Sequence, residues 1–279
     1  MKDEFFTSGA VTFDGSGDYL SLAASSDFAF GTGDFTVEFS MWSSDKTANG
    51  VYNRLFCNDG PTGDGTNNLQ FNIDASTGAL VIWNGGGNVL VGNTNLCDSE
   101  WHHVAVTRSG TTIRIFVDGI QDGAATNSTD WGTQNSGSPR VHIGAQNGTG
   151  WYDGILSNYR IVKGTALYTS NFTPPTAALT NVTNTKLLCC QSDSSTTAKE
   201  VGPTITANGD PTASSQNISL TSASDTSITW PSSIKWNGGS APTLNTGSYA
   251  NDANVITLLT RDEGVTWYGW ETISLVGGN

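Results

Sequence analysis

The sequence predicts an all-β protein, a sandwich of many short strands, and three observations carry that prediction. Apolar and polar residues alternate with a period of two over short segments, the pattern of a half-buried strand. Tight-turn dipeptides recur: Asp-Gly begins at 14, 59, 64, 118, 122 and 153, and Asn-Gly at 49, 84, 147, 208 and 237. Each tolerates the positive φ that short hairpins demand. No stretch of ten or more residues has a convincing helical period, and the non-apolar residues are mostly Ser, Thr, Asn and Gly, which form helices poorly. Frequent turns between short strands favour two packed sheets.

In chain order, Phe35-Thr-Val-Glu-Phe-Ser-Met41 alternates with odd positions inward and even positions outward, and Leu69-Gln-Phe-Asn-Ile73 repeats the pattern. Trp101 opens a strand and reads as core, as do Phe35, Phe39 and Phe71. Ile113-Arg-Ile-Phe-Val117 and Val141-His-Ile143 follow, and His103 and His142, each in an alternating segment, read as structural. Beyond Lys186-Leu-Leu-Cys-Cys-Gln191 the chain is polar and without alternation up to Pro203. The reading is therefore a first domain over 1–192, a linker over 193–203 and a small antiparallel β domain over 204–279. In the last, Ser227-Ile-Thr-Trp230 and Ile234-Lys-Trp236 precede a hairpin of Val255–Thr260, the turn Arg261-Asp-Glu-Gly264 and Val265–Ile273. So short a stretch makes a marginal core alone, and self-association would stabilise it.

Composition sets outer bounds. Of 279 residues, 36% are apolar and 13% charged, against roughly 25% charged in an average domain, which excludes a charged disordered chain or a coiled coil. Nine Trp supply core material, each aromatic burying roughly 150–250 Å². Twelve Lys and Arg against 25 Asp and Glu give a net charge of −13, which argues against nucleic acid as a partner. The start, Met1-Lys2-Asp3-Glu4-Phe5-Phe6, carries acidic residues where a secretory signal needs a basic region, so no export by that route is expected. Apolar runs stay below the roughly 18 residues of a membrane span, so no membrane insertion is expected. Cys57, Cys97, Cys189 and Cys190 lack metal-site spacing, and the adjacent pair is too constrained to bridge in an ordinary strand. They read as buried thiols of a protein made in a cytoplasm.

Several phrases carry a family resemblance: Val11-Thr-Phe-Asp-Gly-Ser-Gly-Asp-Tyr-Leu20, Phe30-Gly-Thr-Gly-Asp-Phe-Thr-Val-Glu-Phe39, Trp101-His-His-Val-Ala-Val-Thr-Arg108 and Ile115-Phe-Val-Asp-Gly119. The most specific is Tyr159-Arg-Ile-Val-Lys-Gly-Thr-Ala-Leu-Tyr-Thr-Ser-Asn-Phe-Thr-Pro-Pro175, followed by Lys186–Gln191. In order and spacing they resemble the laminin-G-like, concanavalin A-like jelly-roll module of marine bacteriophage virion proteins. Ile228–Trp236 with Gly264-Val-Thr-Trp-Tyr-Gly269 is similar to a C-terminal β unit of phage tail-fibre-like and head-decorating proteins. The resemblance implies a concanavalin A-like two-sheet jelly roll plus a small C-terminal antiparallel β domain. It also implies a role in adhesion or virion decoration, and a scaffold that binds carbohydrate or protein.

Enzymatic motifs are missing. A glucanase of this group carries Glu-x-Asp-x-x-Glu, one carboxyl acting as acid and one as nucleophile, and none of the six glutamates begins that motif. Gly-x-Ser-x-Gly, His-Glu-x-x-His and a phosphate-cradling Gly-x-x-x-x-Gly-Lys are also absent. The expectation is a non-enzyme. Laminin-G-like modules often hold a rim calcium through Asp side chains and backbone carbonyls, and Asp14 and Asp153 are the candidates, each also readable as the start of an Asp-Gly turn. At most one calcium ion is expected.

Sugar rings stack on exposed aromatic faces. Trp83 beside Asn84-Gly-Gly-Gly87, Trp131 in Asn127-Ser-Thr-Asp-Trp-Gly132, and Trp151-Tyr152 after Asn147-Gly-Thr-Gly150 are aromatics set in turn sequence. They read either as a carbohydrate site or as loop packing and subunit contact. Trp230, Trp236, Trp267, Tyr268 and Trp270 crowd the small domain and point to self-association, a trimer above all. The expected protein is a non-enzymatic virion-surface component of a phage, a short fibre or capsid decoration made in the host cytoplasm. Its expected partners are its own copies, other virion proteins and a host-surface glycan. The alternative is a secreted bacterial lectin or carbohydrate-binding module.

Overall fold

The computed structural model describes residues 5–47, 53–58, 68–132, 139–146, 148–220, 234–236, 254–260 and 267–273. The chain divides into a large unit, Asp3–Ala223, and a small one containing Ser224–Asn279. The large unit begins with β1 (Phe5–Asp14), β2 (Tyr19–Leu22), β3 (Phe35–Trp42), β4 (Asn53–Cys57), β5 (Gln70–Ile73), β6 (Leu80–Trp83), β7 (Asn88–Val91) and β8 (Trp101–Ser109). It continues with β9 (Thr112–Val117), β10 (Ile120–Thr126), β11 (His142–Ile143), β12 (Asp153–Lys163), β13 (Thr185–Cys189), β14 (Lys199–Val201), β15 (Ile205–Asn208) and β16 (Thr212–Ser219). One short 3₁₀ turn, Ser26–Phe28, is the helical structure among the described residues.

Two antiparallel sheets result. One runs β10-β9-β8-β3-β12-β1-β16, with β13 also paired to β12 and β14 to β13; the other runs β15-β2-β11-β4-β5-β6-β7. The alternation works as expected: Phe35, Val37, Phe39 and Met41 of β3 face Phe71 and Ile73 of β5 across one apolar core, which also takes Leu20, Leu55, Phe56, Leu80, Ile82 and Val106. Phe39 stacks on Tyr159 and Phe30 on Phe35. The all-β two-sheet jelly-roll class is what the structure shows.

The other side of β3 is polar yet buried. Glu38 Oε1 accepts from Arg160 Nε at 2.9 Å and Nη2 at 2.7 Å, while its Oε2 accepts from Tyr168 Oη at 2.9 Å and faces His103 Nε2 at 3.2 Å. Tyr168 and Phe172 stack on each other and meet the His103 ring edge-on. The motif-bearing segment after β12 is therefore a clasp over the outer face of the nine-stranded sheet. His103 and His142 are both buried.

The domain boundary read from composition is corrected. Residues 193–203 are no linker, because they contain β14, and residues 204–220 belong to the sandwich: β15 pairs with β2, and β16 pairs with β1 over Phe5–Thr12. These strands sit at sheet edges with much of their length facing solvent, so Ser, Thr and Asn suffice and apolar alternation is lost. The compact unit ends at Ala223, not 192.

In the small unit, β17 (Ile234–Trp236), β18 (Asn254–Thr260) and β19 (Trp267–Ile273) form a sheet. The expected hairpin is present as the antiparallel β18–β19 pair, but β17 joins β19 in parallel, so the described sheet is mixed. Trp230 lies outside the described residues, as do the side chains of Trp236, Trp267, Tyr268 and Trp270.

Candidate functional site

The outer face of the seven-stranded sheet gathers polar groups that the core does not use. In β5, Phe71 and Ile73 enter the core, so Gln70 and Asn72 point the other way. In β6, Leu80 and Ile82 enter the core, leaving Val81 and Trp83 outward. Cross-strand register then lines up Thr206, Ser21, His142, Cys57, Gln70 and Trp83 in one row over six strands, and Arg54, Asn72 and Val81 in the next.

This face is recessed rather than solvated: Gln70, Asn72 and His142 are no more than 5% exposed although none belongs to the core. The turn Gln146–Thr149 borders it, since Arg54 N donates to Gly150 O and Arg54 Nη1 donates to Thr149 Oγ1 at 3.1 Å. Among the described residues, Asn72 Oδ1 has no donor, and Trp151 Nε1, one residue beyond Gly150, no acceptor. A buried polar atom without a partner costs roughly 1–3 kcal/mol, an expense that a hydrogen-bonding ligand removes. Trp83, half-buried, stands beside Gln70 in register, and Trp151, also half-buried, follows Gly150, whose carbonyl accepts from Arg54 N.

Two aromatics expected here are elsewhere. Trp131 is fully buried. Its backbone pairs with Gly31, its ring meets Phe35 edge-on, and the Arg108 guanidinium lies 4.6 Å from its centroid while donating to Gly31, Gly33 and Thr129 carbonyls. A loop tryptophan thus became a core residue because a buried arginine needed a flat partner. Tyr152 is also fully buried: its ring packs edge-on against Phe13 and its hydroxyl donates to Trp42 O at 2.9 Å. Neither offers a face to a sugar.

The acidic candidates are rearranged as well. Asp14 and Asp153 are register partners between β1 and β12, but the carboxylates brought within 4.8 Å of one another are Asp14, Asp18 and Asp210. Asp18 Oδ2 accepts from Asp14 N and Asp18 Oδ1 from Asp210 N. Burial, with the charges of Asp14 and Asp210 behind it, raises the Asp18 carboxyl above its ordinary range despite those two bonds. Burial and the charges of Asp45 and Asp14 likewise raise Asp153. Three oxygen donors of one sign fit a hard cation such as calcium, and Asp153 is outside the trio. Sequence reading missed Asp18 and Asp210 because the contact spans 192 positions. It missed Gln70 and Asn72 although their signal was visible, amides alternating with core aromatics.

Residues 14–168 match the family model described as the concanavalin A-like lectin/glucanases superfamily. Among solved structures, the chain is similar to a Bacteroides ovatus protein provisionally described as carbohydrate binding, at 14% identity and a TM-score of 0.52, covering 76% of this chain. It spans 60% of that protein's length. Weaker likeness extends to the heptameric SAP-like pentraxin of Limulus polyphemus, at 14% identity and TM-score 0.45, covering 72% of this chain and 94% of that one. Domain 4 of an extracellular arabinanase of Geobacillus stearothermophilus, solved with arabinotriose, aligns at 14% identity and TM-score 0.45, covering 56% of this chain and 71% of that one. No curated protein matches by sequence. With more than half of its length in the family match and the two-sheet sandwich in place, the chain belongs to the concanavalin A-like lectin/glucanase superfamily.

Proposed function

We propose that this chain is a non-enzymatic carbohydrate-binding protein whose ligand lies on the outer face of the seven-stranded sheet. One observation carries the reading: a recessed floor of Gln70 and Asn72 with Trp83 beside Gln70 in register and Asn72 Oδ1 lacking a partner, and, next in sequence to the Gly150 that accepts from Arg54 N, a half-buried Trp151 whose Nε1 also lacks one. Amides and an indole N–H suit sugar hydroxyls, and half-buried indole faces suit sugar rings. The family, and the fold shared with the Bacteroides ovatus protein, support it. Among the described residues, the most buried carboxylate, Glu38, is held by Arg160, Tyr168 and His103 under the clasp, a structural and not a catalytic placement.

The finer reading is a virion-surface component of a phage, a short fibre or capsid decoration, resting on the sequence phrases above. Self-association through the small unit, as a trimer, and contact with other virion proteins belong to it. The bacterial fold relative favours the second reading, a bacterial lectin or carbohydrate-binding module. A glycan array with the intact protein, Trp83→Ala and Trp151→Ala tests the binding: affinity falls by about tenfold or more in each variant at unchanged melting temperature, and unaltered retention rejects the face. Antibody labelling of intact particles separates the two biological settings.

Calcium enters as a rim ion on Asp14, Asp18 and Asp210. Added calcium raises the melting temperature of the native chain and not that of Asp18→Asn; equal response in both removes the ion from this site.

A further inference from the structure

We propose that Cys189 and Cys190 are a redox-sensitive pair, closing into a disulfide between sequence neighbours when the chain meets a hydroperoxide and so fixing the junction of β12 and β13. In a regular strand, adjacent side chains point to opposite faces. Here both enter the same apolar core, each 1% exposed, with their Sγ atoms 3.6 Å apart. The cause is the backbone of Cys190, which lies just past β13 at φ +58°. That left-handed conformation is rare for a residue with a side chain, and the surrounding structure must hold it in place.

The facing strand is distorted at the same place. Tyr159 is the register partner of Cys189, and Asn158 before it sits at φ +52° and donates its backbone N–H to Cys190 O at 3.1 Å. The Asn158 side chain, 1% exposed, donates from Nδ2 to Ser8 Oγ and Ser157 Oγ, and accepts at Oδ1 from Leu179 N and Gln191 Nε2. All four of its hydrogen-bonding positions are filled. The Cys190 carbonyl therefore holds the residue that ties β1 and β12 to the chain on both sides of β13.

Among the described residues the two sulfurs hydrogen-bond to each other alone, and neither joins a group of three metal-ligating side chains. A structural metal ion needs more ligands than this pair supplies, whereas a disulfide needs only the pair. The bond with Cys190, and burial after it, push the Cys189 thiol well above its ordinary range, so its thiolate is scarce and the pair reacts slowly. Burial also shuts out bulky oxidants and leaves small hydroperoxides. One thiolate sulfur attacks the O–O bond of hydrogen peroxide, becoming a sulfenic acid as the released hydroxide takes a proton to form water. The second sulfur then displaces the sulfenic hydroxyl, which leaves as a second water while the S–S bond forms. Two thiols and one peroxide thus give one disulfide and two waters. Neighbouring Cα atoms are about 3.8 Å apart, short of the roughly 4.4–6.8 Å of ordinary disulfides, so the bridge is strained and thiol reductants reopen it. A chain folded in a reducing cytoplasm would keep the dithiol there and gain the bridge outside.

The test incubates the intact chain with hydrogen peroxide, then unfolds it, alkylates free thiols and cleaves with trypsin. Lys186 and Lys199 bracket a peptide, 187–199, that contains both cysteines and no other. That peptide is expected to lose two hydrogens and resist alkylation, and dithiothreitol to restore both thiols. Hydrogen exchange on the folded chain, before and after oxidation, reads the consequence: the Asn158 and Leu179 amides slow by about tenfold while the β3–β8 pair is unchanged. Cys190→Ser removes both the two-hydrogen loss and the change in exchange, and Cys190→Gly, which keeps the left-handed backbone without strain, does the same. A peptide that keeps two alkylatable thiols, gains oxygen without losing two hydrogens, or is found bridged to Cys57, Cys97 or a second chain overturns the pair. A bridge that forms while Asn158 and Leu179 exchange as before overturns the role given to the Cys190 carbonyl.

Discussion

His102 faces two carboxylates, with Nδ1 2.8 Å from Asp118 Oδ2 and Nε2 3.1 Å from Asp98 Oδ1. Burial opposes its protonation, but the two aspartates outweigh burial and raise its pKa above the ordinary 6.5. A folded-state pKa above the unfolded one stabilises the protonated form, so the contribution is full below about pH 6.5 and disappears as pH rises through the folded value. The melting temperature is expected to fall over that window, and His102→Gln to flatten the slope; a variant with an unaltered slope excludes the histidine as its source. Glu38 behaves oppositely. Burial alone would raise its carboxyl, yet His103 and Arg160 hold it below its ordinary value, so its contribution is present above the unfolded pKa and lost as acid carries pH down through the folded one. Glu38→Ala strands a buried guanidinium and is expected to cost about 3–5 kcal/mol in urea unfolding, with Glu38→Gln milder. At this scale the inward Phe35, Phe39 and Phe71 were legible from alternation. Trp131 and Tyr152 were not, because turn sequence around an aromatic says nothing about an arginine arriving from residue 108 or a carbonyl from residue 42.

The clasp from Gly164 to Thr180 is tied to the sheet at Thr36, Glu38, Thr107 and Arg160, and Gly119 is a further docking point. Phe172 N donates to Gly119 O at 2.8 Å, and at φ +77° a side chain on Gly119 would run into the Phe172 carbonyl. Gly119→Ala is expected to lift Tyr168 and Phe172 off His103 and Phe116, read as faster hydrogen exchange and proteolysis within 165–176 while the strands keep their protection. Uniform loss of protection would show instead that the clasp and sheet unfold together. Strands were legible where one face is aliphatic or aromatic, as in β3, β5, β9 and β18. The edge strand β16, Thr-Ala-Ser-Ser-Gln-Asn-Ile-Ser, was not, because an edge needs hydrogen-bond partners more than apolar side chains and its composition mimics a loop.

For the whole molecule, the corrected boundary makes a direct prediction. A fragment covering 3–223 is expected to unfold in one cooperative transition, whereas one ending at 192, where composition changes, lacks β14, β15 and β16 and is expected to expose apolar surface and aggregate. Equal stability of the two fragments would contradict the topology. Family and class were readable from phrase order along the chain, while the polar face of the seven-stranded sheet emerged only from register, which sets six strands side by side. The β1–β16 pairing also imposes an order in time. Thr7 Oγ1 donates to Asn217 Oδ1, 210 positions later, so at a synthesis rate of about 5–20 residues per second β1 waits on the order of ten seconds or more for its outer neighbour. During nascent-chain growth that edge is open, and the sandwich closes only when its last strand clears the ribosome.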